Sequence, residues 1–275
     1  MIRGIKKALY AAYFKTFPAL ASARREYKQG ATKTHRSSFG LNLVGPEYLI
    51  DSSFEQDEIR LVTERLSEVD TFVDVGANIG IYTCLAASLG KRVIAVEPLP
   101  SNLRCLYQNI KSNGFSGVEV FPMGLSSSPG LMTLRGIGAQ ASFLPDWAVD
   151  DFGFNRHIKT VCPTTTLDAI LGNRFSGQRL FLKVDVEGFE YQVLKGAAAT
   201  LSMSPAPLWM VECILEKFHA GGNRNFEKTF DLFFDRGYSA RTPEGVLVTP
   251  ENVREWASRG FVDTAVGFNF FFCRN

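Results

Sequence analysis

Two short runs in this 275-residue chain bring together residue types that can do chemistry. The first is Asp74-Val75-Gly76-Ala77-Asn78-Ile79-Gly80. Its glycines allow a tight turn and a close backbone approach, and Asp74 and Asn78 bring polar atoms to the same place. An apolar stretch precedes the run and a helical pattern follows it, so it reads as the first strand-to-helix turn of a doubly wound sheet. Ligands of such sheets sit outside the carboxyl ends of the strands, where strand order reverses. The next expected strand ends in Glu97-Pro98, and a carboxylate there can accept hydrogen bonds from both hydroxyls of a ribose. Glycine turn and acidic strand end together define a nucleoside site; the plainer reading of Gly76 and Gly80 is strand-helix packing.

Charge selects among nucleoside cofactors. A dinucleotide presents a pyrophosphate to the helix N-terminus, where G-x-G-x-x-G is the usual fingerprint. This run lacks that spacing, and Asp74 would repel an anion. S-adenosylmethionine brings a sulfonium and an ammonium instead, and a carboxylate attracts both. Asp74, Gly76, Ala77, Asn78, Gly80 and Glu97 are therefore the expected cofactor residues.

The second run is Lys183-Val184-Asp185-Val186-Glu187-Gly188-Phe189-Glu190. Strand alternation puts Lys183, Asp185 and Glu187 on one side, the last two nearest the crevice. Glu212, near the end of the following strand, and His219 beyond it can face the same space. Methyl transfer is an in-line displacement of an activated leaving group. The protein must hold the acceptor and, for a hydroxyl, take its proton. Asp185, Glu187, Glu212 and His219 are the candidate bases. Each has a plainer role: Glu187 and Glu190 stand where a helix begins and suit a cap or its dipole, His219 reads as a surface residue, and Lys183 as an ion-pair partner. A divalent cation between neighbouring carboxylates is compatible with the pattern, but no spacing demands one, and no metal ligand is assigned.

The elements that must position these runs follow from periodicity. Strands are expected at 71–75, 92–96, 118–122, 180–186, 208–214, 238–241 and 266–272, and helices at 56–66, 79–89, 101–113 with Ser101 as N-cap, 189–201 and 226–234. Residues 38–50 suggest a hairpin or arm turning at Gly45-Pro46, and 131–134 start a short antiparallel pair. Residues 136–166 show no period and read as a lid or binding loop. Alternation of strands and helices predicts an α/β fold with a mostly parallel sheet covered on both faces.

With these pieces placed, the chain resembles the FkbM family of methyltransferases from about residue 39 to 272. The resemblance rests on Phe54-Glu55, the run from Val73 to Gly80, Glu97-Pro98 followed by Asn102, Ser142, Thr166-Leu167-Asp168, the run from Leu182 to Glu190, Glu212 and the closing strand at 268–272. It implies a class I, Rossmann-like fold with a seven-stranded sheet, and O-methylation of a sugar, a glycan or glycolipid, or another natural-product hydroxyl. On matching positions Asp74, Gly76, Asn78 and Glu97 would contact the cofactor, and Asp185, Glu187 and Glu212 would border the acceptor. After the third strand comes Met123-Gly124-Leu125-Ser126, without the acidic residue that would bind the adenine amino group. Backbone atoms or the Ser126 hydroxyl would have to take that place.

Composition bounds the rest. With 45% hydrophobic and 21% charged residues the chain can bury a large core unaided, and its five cysteines show no zinc or redox spacing. A reducing, cytoplasmic setting follows. Residues 1–37 form a leader and 38–275 the methyltransferase domain. Up to position 36 there are nine Lys/Arg against one acid, and the remainder holds 21 basic and 27 acidic residues. An acidic body argues against nucleic-acid substrates. The leader suits a solvated arm, or an amphipathic helix lying on an anionic membrane surface. Lys15 and Pro18 break its apolar stretch, against a secretory signal. No apolar run reaches the ~18 residues of a spanning helix. Two other functions fit the pattern less well: a cofactor-binding regulator without catalysis, and a nicotinamide-dependent oxidoreductase.

Overall fold

The computed structural model describes residues 34–50, 55–145, 147, 158–216, 222–262 and 268–274. It opens with a two-stranded hairpin, His35–Arg36 (β1) and Asn42–Leu43 (β2), followed by a short helix, Glu47–Ile50 (α1). The helix Gln56–Leu66 (α2) leads into the alternating core: Thr71–Val75 (β3), Ile81–Ser88 (α3), Arg92–Val96 (β4), Pro100–Ser112 (α4) and Val118–Phe121 (β5). Three strands follow, Gly124–Leu125 (β6), Gly130–Arg135 (β7) and Lys159–Thr165 (β8), then Leu167–Leu171 (α5). The second half comprises Leu180–Val184 (β9), Glu190–Lys195 (α6), Ala198–Leu201 (α7), Leu208–Glu212 (β10) and Phe226–Phe234 (α8). Ser239–Arg241 (β11), Leu247–Val248 (β12), Pro250–Arg259 (α9) and Asn269–Cys273 (β13) close the chain.

The large sheet runs β12-β11-β13-β10-β9-β3-β4-β5. Strands β5, β4, β3, β9 and β10 are parallel, and β13 inserts antiparallel beside β10. Order reverses between β3 and β9, which puts the ligand crevice at their carboxyl ends. Every residue of β3 and β9 is buried, as central strands covered on both faces must be. Alternation divides them between two cores. Val73, Val75, Leu182, Val184, Val211, Phe270 and Phe272 pack on one face, and Phe72, Phe181, Met210 and Phe271 join α2 and α3 on the other. Phe233 stacks on Phe272 with ring centroids 3.8 Å apart. Burying each such side chain contributes about 1.5–3 kcal/mol.

The expected seven strands are present, with a two-residue eighth, β12, added at the edge. Several local expectations need correction. The amino-terminal hairpin turns at Gly40, whose φ of +83° suits the turn, and Pro46 instead precedes α1. Helix α4 starts at Pro100, whose fixed φ suits a first turn, so Leu99 is its N-cap and the Ser101 side chain is buried without a partner among the described residues. The helix expected at 189–201 is two, parted at Gly196 and Ala197, and Gly196 comes so close to the Ser126 carbonyl that a Cβ there would overlap it. The irregular stretch contains a true strand, β8, whose residues Lys159 to Thr164 pair antiparallel with β7. The closing strand begins at Asn269, and residues 263–267 lie outside the described set. So do residues 1–33, nearly all of the segment expected to be a leader; no helix among the described residues is long and apolar enough to cross a membrane.

Candidate active site

At the carboxyl ends of β3, β4 and β9 lies a cavity of about 500 Å³. Its walls are built by the glycine run, the ends of β4 and β5, the segment at 138–143, and the corner after β9. The glycine run is tied into the sheet: Gly76 and Ala77 N–H both donate to Val96 O at 3.0 Å, and Asp185 N–H donates to Val75 O at 3.0 Å. Gly76 has φ +85°, and a Cβ there would overlap the Asp185 carbonyl oxygen, so the two motifs meet at this residue. Gly80, at φ +86°, caps α3, and its missing Cβ makes room for Leu106.

One end of the cavity surrounds Glu97. Its Oε2 accepts from Asn78 N–H at 2.8 Å, and its Oε1 accepts from Leu99 N–H at 2.8 Å and from Asn102 Nδ2 at 3.2 Å. Burial raises its carboxyl to about 7, against the pull of those three bonds. Leu125, Leu134 and Phe143 line the same cavity with Met123 and Gly124. Asn78, itself left-handed at φ +52°, leaves Oδ1 buried with no hydrogen-bond partner among the described residues. That lone acceptor calls for a donor from a ligand.

The other end is crowded with charge. Lys183 Nζ pairs with Asp185 Oδ2 at 2.7 Å and lies 4.7 Å from the Tyr82 ring centroid. Tyr82 Oη donates to Glu55 Oε2 at 2.5 Å. Burial opposes the charge on Lys183, but Asp185, Glu55 and Asp74 outweigh it and hold the ammonium well above the ordinary lysine value. Burial likewise raises Glu55, partly offset by Lys183. Burial pushes Glu212 far up, and Asp185 and Glu187 add to the effect. Burial and Asp185 together raise Glu187 to about 8.

Of the residues expected from sequence, Gly76, Ala77, Asn78, Glu97, Asp185, Glu187 and Glu212 all line this cavity. Asp74 stands one layer behind: paired in register with Lys183 on the face that α3 covers, it accepts from Thr83 Oγ1 at 2.6 Å and is 1% exposed. Its Oδ1 has no partner among the described residues, and burial raises its carboxyl. Gly80 shapes the turn from behind, and Ser126, 6% exposed, is also outside the lining, its N–H bonded to Thr165 O at 2.9 Å. His219 lies outside the described residues. Glu190 caps the corner, accepting from Val186 N–H at 3.1 Å and Gly188 N–H at 3.0 Å. Sequence reasoning missed Tyr82, Tyr48 and Trp147. Tyr82 alone had a readable signal, since the first turn of a helix that begins at the glycine run must stay beside it. Among the described residues, no group of three or more His, Cys, Asp or Glu side chains is arranged to hold a metal ion.

Sheet order, strand-order reversal and the acceptor-rich crevice are those of the class I methyltransferase fold. The family described as "Methyltransferase FkbM domain" matches residues 74–240, and the chain belongs to the FkbM methyltransferase family. Hexuronic acid methyltransferase AglP of Haloferax volcanii is 33% identical over 174 residues, 61% of this chain and 63% of that protein. AMB antimetabolite synthetase AmbE of Pseudomonas aeruginosa is 29% identical over 196 residues, 57% of this chain and 9% of that protein. The chain thus spans less than two thirds of the length of these curated relatives. Among solved structures, a TehB-like SAM-dependent methyltransferase from Corynebacterium glutamicum aligns at a TM-score of 0.43 and 11% identity, over 82% of this chain and 92% of that one.

Proposed function

We propose that this protein is an S-adenosylmethionine-dependent O-methyltransferase acting on a hydroxyl of a sugar, of a glycan or glycolipid, or of a related natural product. The observation that carries the reading is one cavity with Glu97 and the unpartnered Asn78 Oδ1 at one end and Asp185, Glu187 and Glu212 at the other. These residues fit the cofactor. Glu97 would accept the ribose hydroxyls, Asn78 would accept from its amino-acid part, and Leu125, Leu134 and Phe143 would cover its base. Among the described residues that line the cavity, Lys183 is the one cation, and Asp185 already engages it. A pyrophosphate would find no counter-charge there, which argues against a nicotinamide dinucleotide.

When bound, S-adenosylmethionine supplies a methyl group activated by its sulfonium. The chain's own task is to orient the acceptor hydroxyl and receive its proton. A base works best when its pKa lies near the working pH, and Glu187, at about 8, is close to that condition. The name of the Haloferax relative supports a sugar acceptor. The net positive charge of the first 36 residues supports peripheral contact with an anionic membrane at the cytoplasmic surface.

Calorimetric titration with S-adenosylhomocysteine and with NAD tests the cofactor. The reading expects the first to bind and the second not to. Radiolabelled methyl transfer from S-adenosylmethionine to cell-envelope extracts tests the acceptor class, with label expected in a glycan fraction. Binding of NAD alone would overturn the proposal.

A further inference from the structure

The corner after β9 has an unusual backbone: Glu187 takes φ +55° and Gly188 φ +88°, two successive left-handed residues, the first of them not glycine. Such a conformation persists only where the surroundings over-determine it. Here a distant segment does so. Ser142 Oγ donates to the Glu187 carbonyl at 2.7 Å while accepting from Leu144 N–H at 3.0 Å. The Trp147 ring lies flush against Gly188, so that a Cβ there would meet ring carbons at 2.5 Å and Leu144 at 2.9 Å. Trp147, 6% exposed, packs with Ile214, Leu144 and Phe268, and its Nε1 donates to Glu187 Oε2 at 2.7 Å.

The geometry points to Trp147 as a positioning residue that aims the Glu187 carboxylate at the acceptor, its indole N–H fixing the carboxylate and its ring fixing the corner that carries it. This explains why the motif needs glycine at 188: the missing side chain is the seat of the indole. It also separates two of the acceptor-end carboxylates. Asp185 is held by Lys183 and Glu187 by Trp147, a neutral donor that orients the group while leaving it able to take a proton. The inference rests on the reading that this end of the cavity handles the acceptor.

Two measurements on the full chain test it. The chain has three tryptophans, so the Trp147 indole N–H resonance is assigned by its loss in Trp147→Phe. It should move with pH around a midpoint of about 8 and stop moving in Glu187→Gln. A resonance that stays flat across this range would overturn the contact. Phenylalanine keeps a ring on Gly188 but donates no hydrogen bond. Trp147→Phe should therefore hold S-adenosylhomocysteine affinity within about twofold while methyl transfer to cell-envelope extract drops roughly tenfold or more. The rising limb of its pH profile should also move up by about one unit, because the lost bond favoured the charged carboxylate. Unchanged transfer with an unchanged profile, or a parallel loss of cofactor affinity, would overturn the positioning role. A wild-type chain that binds no S-adenosylhomocysteine would instead sink the functional proposal, and the indole titration would still decide the contact.

Discussion

At one end of the cavity a single carboxyl, Glu97, is held by two backbone N–H groups and Asn102, all within a few residues of the β3 and β4 ends. At the other, Asp185 pairs with Lys183 two residues before it, Glu55 and Glu187 are held by side chains from distant segments, Tyr82 and Trp147, and Glu212 joins them in the lining. The first end, where the proposal places the cofactor, is made by local chain geometry. The second is a group of acids in which burial raises Glu55, Glu187 and Glu212. Binding should therefore follow the first end and turnover the second.

The largest effect is expected where the two ends are joined. Gly76→Ala puts a methyl on the Asp185 carbonyl at a left-handed φ, and should cost about 2 kcal/mol or more in denaturant-measured stability and abolish S-adenosylhomocysteine binding. Retained binding would mean that the ends are not mechanically connected. Asp185→Asn comes next: turnover should drop roughly 100-fold, in the range for removing a proton-transfer group or its orienting charge.

The acids also set a pH dependence. Glu97 and Glu190 are raised to about 7 and Glu187 to about 8, from an ordinary value of 4.5. As pH rises above 4.5 the unfolded chain ionises these groups while the folded chain keeps their protons, so they add stability at low pH that is lost on rising through about 7 to 8. Asp70, held at about 2 by its hydrogen bonds from Arg179, has finished titrating below this window. The melting temperature of the ligand-free protein should fall across it, and Glu187→Gln should flatten the upper part. A rising melting temperature would contradict the buried-acid account. The smallest effect is expected for Ser126→Ala, whose side chain lies off the cavity lining, with S-adenosylhomocysteine affinity unchanged within about twofold.

The same contrast governs what the sequence could reveal. Strands Thr71–Val75 and Arg92–Val96 and helices Gln56–Leu66 and Phe226–Phe234 have the bounds expected from periodicity, because each is a mostly apolar strand or carries one apolar helix face. The β8 strand was hidden by Pro163, which the fold tolerates because β6 pairs only with Thr164 and Thr165, leaving a neighbour on one side at the proline. Helix α9 offers few buried apolar positions, Val253 and Trp256, although Thr249 and Asn252 form a capping box and Gly260 a left-handed C-cap. In the site, Glu97's place in the cavity lining was legible because it stands at a strand end. The burial of Asp74 under Thr83 and the hold of Trp147 on Glu187 were not, since both depend on which helix or loop comes to rest above the sheet.

The most direct test of the division between the two ends is calorimetric titration of S-adenosylhomocysteine into the wild type, Glu97→Ala and Asp185→Asn. Glu97→Ala should lose ~1–3 kcal/mol of binding with its fold intact, as expected for removing hydrogen bonds to a charged group, and Asp185→Asn should bind like the wild type. Unchanged affinity in Glu97→Ala, or an equal loss in Asp185→Asn, would contradict the account.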